Sequence, residues 1–542
     1  MADPSGEFDL LDEPWIGVVA NGGKRRDVGI LEAIRDAHHI REVIDPSPLS
    51  TCGIYRLLFA ILHRYQPLPD GDDAWLDAWA EEWQRGRFSE DLAAQIAENC
   101  AGRFGLFDPV HPFFQSVGAP AYPNPSGLKT VGYLFLEEST GTNVAHFSHR
   151  GDAAHACCPA CCARGLMALP SFAISGGAGI KPSINGTPPI YVMPAGRNLF
   201  ETLVLNHLGH EFLPKIAATA DPGPIWEQSG VIEGKVEKTR VGFLESLTWP
   251  ARRIHLYPES GGICSHCGLG SEILVRRMVY SQGWSRPKES PAWDDPWIAL
   301  RVPPREPTVD PKPVVPREDR GVWRDFTSLF GATNQSHNGR ARRPASLAQV
   351  DRLFRDELLT RDEPVHYETF ALQTDGKAKV FEWRQDGFIF PVALLSSREA
   401  AAAIDVALVQ AEEGSRVLGS ALRKLHPMLA RKGSDPLAVR KLLNGLVVRA
   451  RRAYWSDLES AFRLLLGDPR LLGSFSDRQA WLDDWRDTIR ADANKEFERE
   501  IEGFAFGIEE IRRQVMARRT LWTGLNQALG AAPGQTSATL TT

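Results

Sequence analysis

The sequence lacks the apolar features that direct a protein to a membrane or anchor it there. A helix that spans a bilayer needs about 20 consecutive apolar residues, and no run of that length occurs in the 542 residues. Positions 1–12 are acidic and contain no apolar segment of the kind found in secretory leaders. We therefore expect a soluble protein of two to four domains that has no membrane partner.

The sequence also lacks a large excess of charge of either sign. The 62 lysine and arginine residues are set against 68 aspartate and glutamate residues, which gives a net charge of −6. This balance argues against a uniformly basic surface that coats nucleic acid. It leaves room for the local basic grooves that a specific nucleic-acid binder needs.

Recognisable catalytic motifs are missing. There is no Gly-x-Ser-x-Gly elbow and no His-Glu-x-x-His pair, and the residues at 207–211 have the wrong order for a metalloprotease. His146, His149 and His155 could bind a metal ion or serve as polar loop residues, and no paired carboxylates stand near them at a recognisable spacing. No recognisable catalytic motif therefore supports an enzymatic function, and a metal-dependent nuclease is the catalytic alternative.

Cysteine is scarce, but six of the eight cysteines fall into two short segments. Two Cys-x-x-Cys knuckles are formed by Cys158, Cys161, Cys264 and Cys267. Two residues between thiols let both sulfurs reach one tetrahedral ion at about 2.3 Å, and four thiolates leave no position for water, so the knuckles predict a structural zinc site. Cys157 and Cys162 leave the choice of ligands open, and disulfides or buried free thiols are the alternative. Thiols in metal-type spacing also indicate a reducing cytoplasm.

A glycine-rich segment follows the first knuckle and consists of Gly176, Gly177, Ala178 and Gly179, with Lys181 close behind. It is not a P-loop, because Lys181 precedes proline instead of serine or threonine, and its glycine spacing does not match the dinucleotide fingerprint. Bare backbone beside a lysine can approach a nucleic-acid groove or a phosphate closely. A tight structural turn is the alternative.

The segment 141–151 has the composition of a nucleic-acid contact. It carries Asn143, His146, Phe147 and His149. We expect an exposed loop whose aromatic and basic side chains suit base stacking and phosphate contact. A solvated loop is the alternative.

Two later segments also offer polar side chains to nucleic acid. Residues 274–280 predict a strand in which Arg276 and Arg277 are candidate DNA contacts. The amide-rich, basic segment 331–340 contains Asn334 and Gln335, which could read base edges or wedge between strands. For this second segment a solvated turn is the alternative.

From position 396 onward the sequence changes to long helical patterns with few strand signals, which predict four helices. We predict an α+β fold: a large mixed domain at 1–390 with a zinc-knuckle-like element, a four-helix bundle at 391–532, and a disordered tail at 533–542. The first half of the bundle is basic and the second half is acidic. Such a split could hold a nucleic acid on one side and a protein on the other, or the charges could pair within the bundle.

These motifs together resemble the CasA family, the large subunit of the type I-E CRISPR complex Cascade. The resemblance rests on the opening segment 10–16, the His-Pro-Phe-Phe-Gln block at 111–115, the two knuckles, the glycine segment followed by 186–189, and the terminal helices. It covers nearly the whole chain. It implies a non-catalytic subunit that recognises the protospacer-adjacent motif in double-stranded DNA, promotes strand opening and R-loop formation, and provides a docking platform for a helicase-nuclease.

The resemblance also implies partners and residue roles. The partners are other Cascade subunits, the CRISPR guide RNA, double-stranded target DNA and the recruited helicase-nuclease, with guide pairing supplying the remaining sequence specificity. The glycine segment would approach the motif in the minor groove, Arg276 or Arg277 would replace the family's minor-groove lysine, and Gln335 behind Asn334 would be the wedge. The loop Asn143 to His149 would contact the guide's 5′ end and neighbouring subunits, with Phe147 as its aromatic residue. Zinc at the four knuckle cysteines is implied as well, and a purely structural scaffold is a further alternative.

Overall fold

The computed structural model contains helices and sheets in both halves of the chain. It describes residues 8–71, 73–117, 127–138, 155–176, 179–215, 221–228, 235–302, 310–332, 335–336, 339–360, 364–375, 379–426, 435–502 and 507–530. Among the helices in these ranges, none combines the length and the hydropathy that crossing a membrane requires.

The α-helices of the described residues range from single turns to 31 residues. In chain order they are α1 Ile30–Arg35, α2 Pro48–Tyr65, α3 Ala74–Arg85, α4 Glu90–Cys100, α5 Pro159–Phe172, α6 Leu199–Leu205, α7 Phe243–Leu247, α8 Phe326–Phe330, α9 Ala345–Arg355, α10 Arg398–Arg423, α11 Pro436–Leu466, α12 Phe475–Ile501 and α13 Ile508–Leu529. The four longest that follow position 396 are α10 to α13, as the helical periodicity predicts.

The strands are short except for two hairpins. They are β1 Ile16–Ala20, β2 Arg25–Val28, β3 Ile40–Val43, β4 Lys129–Thr130, β5 Tyr191–Ala195, β6 Val236–Glu237, β7 Arg252–Ile263, β8 Gly270–Gln282, β9 Trp284–Ser285, β10 Leu300–Val302, β11 Lys312–Pro313, β12 Gln335–Ser336, β13 Gly339–Arg342, β14 Pro364–Thr374 and β15 Val380–Pro391. Three of the sheets have the strand orders β2-β1-β3, β15-β14-β5 and β4-β8-β7. The mixture of sheets and helices with a helical C-terminal region confirms the predicted α+β class.

The chain divides into two compact units, of which the first contains 1–318 and 342–388. Its core is built around α2, which is buried on nearly all sides and packs against α5. The side chain of Ser47 accepts a hydrogen bond from the backbone N–H of Ser50, and Pro48 occupies the first turn, so the start of α2 is fixed by its sequence. This unit contains the knuckles and the glycine segment.

The hairpin of β7 and β8 is the element on which the candidate site depends. Its strands pair antiparallel from Arg252 opposite Gln282 at the base to Ile263 opposite Gly270 at the tip. Between Leu256 and Pro258 the register shifts, because β8 carries an extra residue there. Such a bulge turns two consecutive side chains of the longer strand toward the same side of the sheet.

The second unit contains 319–341 and 389–542, so a segment far from the C-terminal helices in sequence belongs to it. Within its described residues, α10 contacts each of α11, α12 and α13, which makes α10 the central helix of the bundle. The side chains of Ser397, Asp435 and Ser474 each accept a backbone N–H at the start of a helix. The predicted tail at 533–542 lies outside the described residues.

Candidate metal centre and nucleic-acid interface

The structure brings the four knuckle cysteines together from two distant segments. Cys158 is the N-cap residue of α5 and Cys161 lies in its first turn, while Cys264 and Cys267 lie in the turn between β7 and β8. Their Sγ atoms all lie within 4.8 Å of one another, and those of Cys158 and Cys267 are 3.8 Å apart. The four cysteines predicted as ligands therefore form one group.

The geometry and the chemistry of this group fit a metal ion. Sulfur atoms that bind a tetrahedral ion at about 2.3 Å lie about 3.8 Å from one another, which matches the distance between Cys158 and Cys267. Hydrogen bonds from the thiols of Cys157, Cys158 and Cys161 lower the pKa of Cys264 far below its usual range. A group that stabilises a thiolate is prepared for a cation, because cysteine binds metals only when deprotonated. The four cysteines could therefore bind a metal ion.

Cys157 and Cys162 lie beside this group but do not belong to it. The backbone of Cys157 exchanges two hydrogen bonds with Val275 on β8, of 2.9 and 2.8 Å between nitrogen and oxygen. The thiol of Cys162 donates to the carbonyl oxygen of Cys157 at 3.8 Å. The choice of ligands that the sequence leaves open is thus narrowed to Cys158, Cys161, Cys264 and Cys267.

Backbone hydrogen bonds hold the two knuckles side by side. The N–H of Ser265 donates to the carbonyl oxygen of Ala156 at 2.7 Å, and the N–H of Ala156 donates to the hydroxyl of Ser265 at 3.1 Å. Together with the Cys157 and Val275 pair, these bonds fix the hairpin against the residues that lead into α5. The cysteine group is thus supported by the fold on both sides.

The carboxylate of Glu138 joins two histidines next to the cysteine group. Its Oε2 lies 2.6 Å from Nε2 of His155, and its Oε1 lies 3.2 Å from Nδ1 of His266, which also stacks on Phe135. Burial alone raises the pKa of Glu138, but the bonds to His155 and His266 outweigh burial and lower this pKa to about 2. His155, one of the three histidines considered as metal ligands, contacts Glu138 instead of joining the cysteines.

Sequence reasoning missed Glu138 and His266. The one signal available was that His266 lies inside the second knuckle, between Cys264 and Cys267. Metal sites are commonly supported by hydrogen bonds around the ligands. Nothing in the local sequence of Glu138 relates it to a residue 128 positions away.

The described residues on the two sides of Gly177 and Ala178 lie close together. The N–H of Gly176 donates to the carbonyl oxygen of Ile180 at 3.3 Å, and Gly179 has a φ of +85°, a conformation that favours glycine. A Cβ atom placed on Gly176 would meet no heavy atom within 4 Å. Gly177 and Ala178 lie outside the described residues. The described part of the segment therefore presents open backbone at Gly176.

Lys181 is held next to the glycine segment. Its Nζ lies 2.5 Å from a carboxylate oxygen of Glu237, and its backbone N–H donates to Oε1 of Gln282 at 2.5 Å. The two charged side chains are about half exposed. Lys181 would have to leave Glu237 in order to contact a phosphate, which costs little because an exposed ion pair is weak.

Arg276 and Arg277 lie on the bulged strand of the hairpin. Both are exposed, as expected for two consecutive residues at the bulge. Arg276 lies 3.4 Å from Glu259, and Arg277 pairs in register with Thr130 of β4. Along β8 they lie about 17 to 20 Å from Gln282, so the structure places them on the hairpin that holds Lys181 but not beside it.

The other residues proposed for nucleic acid fall largely outside the described part. Gln335 begins β12 and pairs with Arg340 of β13, but its side chain is not among those described. The remaining candidates outside the described residues are Asn143, His146, Phe147, His149 and Asn334. The roles of all six stay predictions.

Many basic side chains of the bundle pair within the bundle. Arg449 lies 2.8 Å from Glu500, Arg416 lies 2.5 Å from Glu413, and Arg518 lies 2.6 Å from Glu498. Arg449 and Glu500 join the basic first half to the acidic second half, whereas the other two pairs each lie within one half. The pairs therefore support charge pairing within the bundle. Other basic side chains of the bundle are exposed, namely those of Arg423, Lys424, Arg440 and Lys441.

A comparison with models of protein families shows to which family this chain belongs. Residues 9–495 match the family model described as CRISPR-associated protein Cse1. The chain belongs to the CRISPR-associated Cse1 family. A curated member of that family, CRISPR-associated protein CasA/Cse1 of Thermus thermophilus, is 31% identical over 514 residues, which are 90% of this chain and 91% of the relative. The resemblance to CasA is thereby confirmed.

Solved structures show the same fold as this Cse1 family member. Cse1 from Acidimicrobium ferrooxidans matches 97% of this chain and 99% of its own with a TM-score of 0.77 at 22% identity. A chain in a structure titled CRISPR RNA-guided surveillance complex matches 95% of this chain and 99% of its own with a TM-score of 0.69 at 19% identity. Both confirm the fold over nearly the full length.

Proposed function

We propose that this chain is the non-catalytic Cse1 subunit of a CRISPR RNA-guided surveillance complex in the cytoplasm, and that it recognises the protospacer-adjacent motif of double-stranded DNA. The solved chain that belongs to a surveillance complex supports the assignment to such an assembly. Membership of the Cse1 family supports it as well. The partners are then the other subunits of the complex, the guide RNA and the target duplex.

The observation that carries the proposal is that one hairpin supports every described candidate element of the first unit. Its tip holds the cysteine group, its bulge presents Arg276 and Arg277, and its base binds the backbone of Lys181 behind the glycine segment. A rigid hairpin that displays exposed cations and an open backbone suits a surface that follows a DNA groove.

The recognition chemistry follows from what the minor groove offers. A·T and G·C pairs differ there by one donor, so backbone and a few side chains read it with modest discrimination. Open backbone at Gly176 can approach base edges closely, while Lys181, Arg276 and Arg277 neutralise phosphates. We expect tolerance of several related motifs for this reason.

Strand opening and the docking of a helicase-nuclease complete the proposal. Gln335 is the wedge that parts the first base pairs beside the motif, at a cost of a few kcal/mol of unstacking that phosphate contacts and then guide pairing offset. The metal is structural zinc, because four thiolates are the donor set that zinc prefers and they exclude a catalytic water. The zinc would hold α5 and the hairpin tip together.

Strand opening tests the proposal. A fluorescent base analogue placed next to the motif reports unstacking when a guide-loaded complex is mixed with target duplex. We expect fast opening only when the chain is present and the motif is permissive. Opening at the same rate without the chain would contradict the proposal, and DNA cleavage by the isolated chain in magnesium or manganese would favour the nuclease alternative.

A further inference from the structure

The two residues at the base of the β7 and β8 hairpin are buried, polar and directed at the glycine segment. Arg252 begins β7, Gln282 ends β8, and the two pair in register. Their exposed fractions are 3% and 5%. Buried polar side chains at the end of a hairpin are costly unless they bond to specific partners, so their partners indicate what the pair does.

The partners of Arg252 lie on both sides of the glycine segment. Its guanidinium donates to the carbonyl oxygen of Ile174, which precedes the segment, and to that of Lys181, which follows it, the latter at 2.9 Å. Its Nε donates to the hydroxyl of Tyr280 at 3.2 Å. The planar, rigid fork of arginine can hold two carbonyls at a fixed separation, which lysine cannot do.

Gln282 completes the attachment from the other strand. Its Oε1 accepts the backbone N–H of Lys181 at 2.5 Å, and its Nε2 donates to the carbonyl oxygens of Gly283 and Trp284, each at 3.3 Å. Both polar backbone groups of Lys181 are therefore bound by the hairpin base. The positions of Ile174 and Lys181, which flank the glycine segment, are thus fixed.

Arg252 also places a positive charge beneath the segment. In the described part of the chain no carboxylate pairs with Arg252, and its donors bind the carbonyls of Ile174, Lys181 and Ala251 and the hydroxyl of Tyr280. A buried cation that is bound only by neutral groups keeps its field, which attracts phosphates to the adjacent surface.

We propose that Arg252 and Gln282 are positioning residues for motif recognition. They hold the backbone of Ile174 and Lys181, which flank the glycine segment, without touching DNA. This inference rests on the proposed function of that segment. It predicts that loss of either contact reduces discrimination between motifs more than it reduces binding to DNA in general.

Replacement of Gln282 tests the inference in the guide-loaded complex. Gln282→Met keeps the volume and removes the acceptor for Lys181 together with the two donors to Gly283 and Trp284. We expect the ratio of affinities for permissive and scrambled duplexes to fall roughly tenfold in Gln282→Met, because Lys181 is no longer held at its backbone N–H. Binding to the scrambled duplex should not change.

Controls separate positioning from folding. Gln349→Met on α9 is the matched substitution, because Gln349 is also buried, accepts the backbone N–H of Gly209 and donates to two backbone carbonyls; it should leave the ratio unchanged. Arg252→Lys is the second variant, and it should reproduce the lower ratio while the chain still assembles into the complex. Amide hydrogen exchange in 174–181 should accelerate in both Gln282→Met and Arg252→Lys.

The outcomes distinguish this inference from the function on which it rests. If Gly176→Ala changes the ratio but neither Gln282→Met nor Arg252→Lys does, the positioning role is wrong and the glycine segment keeps its function. If Gly176→Ala also leaves the ratio unchanged, motif recognition by the segment is itself wrong. If the variants lose affinity equally for the permissive and the scrambled duplex, Arg252 and Gln282 have a purely structural role.

Discussion

The Sγ atoms of Cys158 and Cys267 lie 3.8 Å apart although 109 positions separate the two residues in the chain. That distance is the edge expected of a tetrahedron of sulfurs around zinc, about 3.8 Å. The contact joins the start of α5 to the tip of the hairpin that also holds the glycine segment at its base. Stability of the metal centre and geometry of the candidate DNA surface are therefore linked through one element.

The first prediction concerns the metal itself. Purified under reducing conditions, the chain should contain about one zinc ion, and Cys267→Ser should lose it because three thiolates bind much more weakly than four. Metal content by mass spectrometry and the Tm provide the measurement, and both should decrease. Cys162→Ser, which alters a thiol outside the group, should retain the zinc, and a Cys267→Ser protein with full zinc would contradict the ligand assignment.

A second prediction concerns Glu138. Glu138→Ala removes the carboxylate that joins His155 to His266, so the second knuckle loses support and the affinity for zinc should fall roughly 10- to 100-fold. Competition with a chromophoric chelator measures the affinity. Glu259→Ala, which removes a carboxylate from the same hairpin beside Arg276, is the control and should have no effect.

The third prediction separates folding from DNA contact at Gly176. Since a Cβ there meets no heavy atom within 4 Å, Gly176→Ala should leave the Tm of the chain unchanged. If this backbone approaches base edges, the added methyl group should weaken binding to the permissive duplex by about tenfold or more, equivalent to about 1.4 kcal/mol. Gly22→Ala, at another open glycine, should bind normally, and normal binding by Gly176→Ala would remove this residue from the interface.

Salt dependence of binding tests the arginines on the bulge. Arg277→Ala should reduce the slope of log Kd against log salt by about 0.9 if the side chain contacts one phosphate. Arg276→Ala should have a smaller effect, because Arg276 lies close to Glu259. Arg416→Ala, in the bundle and paired with Glu413, serves as the control. An unchanged slope in both hairpin variants would exclude phosphate contact.

The wedge assignment gives the fifth prediction. Gln335→Ala should slow strand opening by roughly tenfold while duplex binding changes little, since a wedge acts on unstacking, which costs a few kcal/mol per step. Stopped-flow fluorescence measures opening and equilibrium titration measures binding. Ser336→Ala on the same strand should leave both unchanged, and equal losses of opening and binding in Gln335→Ala would rule out the wedge.

The sequence was informative where the signal is local. Two residues between cysteines identify a knuckle without any knowledge of the fold, and all four ligand candidates proved to lie together. The helices after position 396 follow from the helical periodicity of the sequence.

Long-range pairing was beyond the reach of the sequence. The bulge that exposes both Arg276 and Arg277 depends on how β8 pairs with β7, and the pattern of residues 274–280 alone did not predict it. The bonds of Arg252 and Gln282 to Lys181 join residues 71 and 101 positions apart. Such contacts are set by tertiary packing, and a single sequence carries no record of them.

Binding of the guide-loaded complex, assembled with and without this chain, should be compared on matched target duplexes that differ only in the adjacent motif. If the chain reads the motif, adding it tightens binding to the duplex with the permissive motif and leaves the scrambled one unchanged. Equal tightening of both duplexes would contradict motif recognition and would identify the chain as a nonspecific clamp or scaffold.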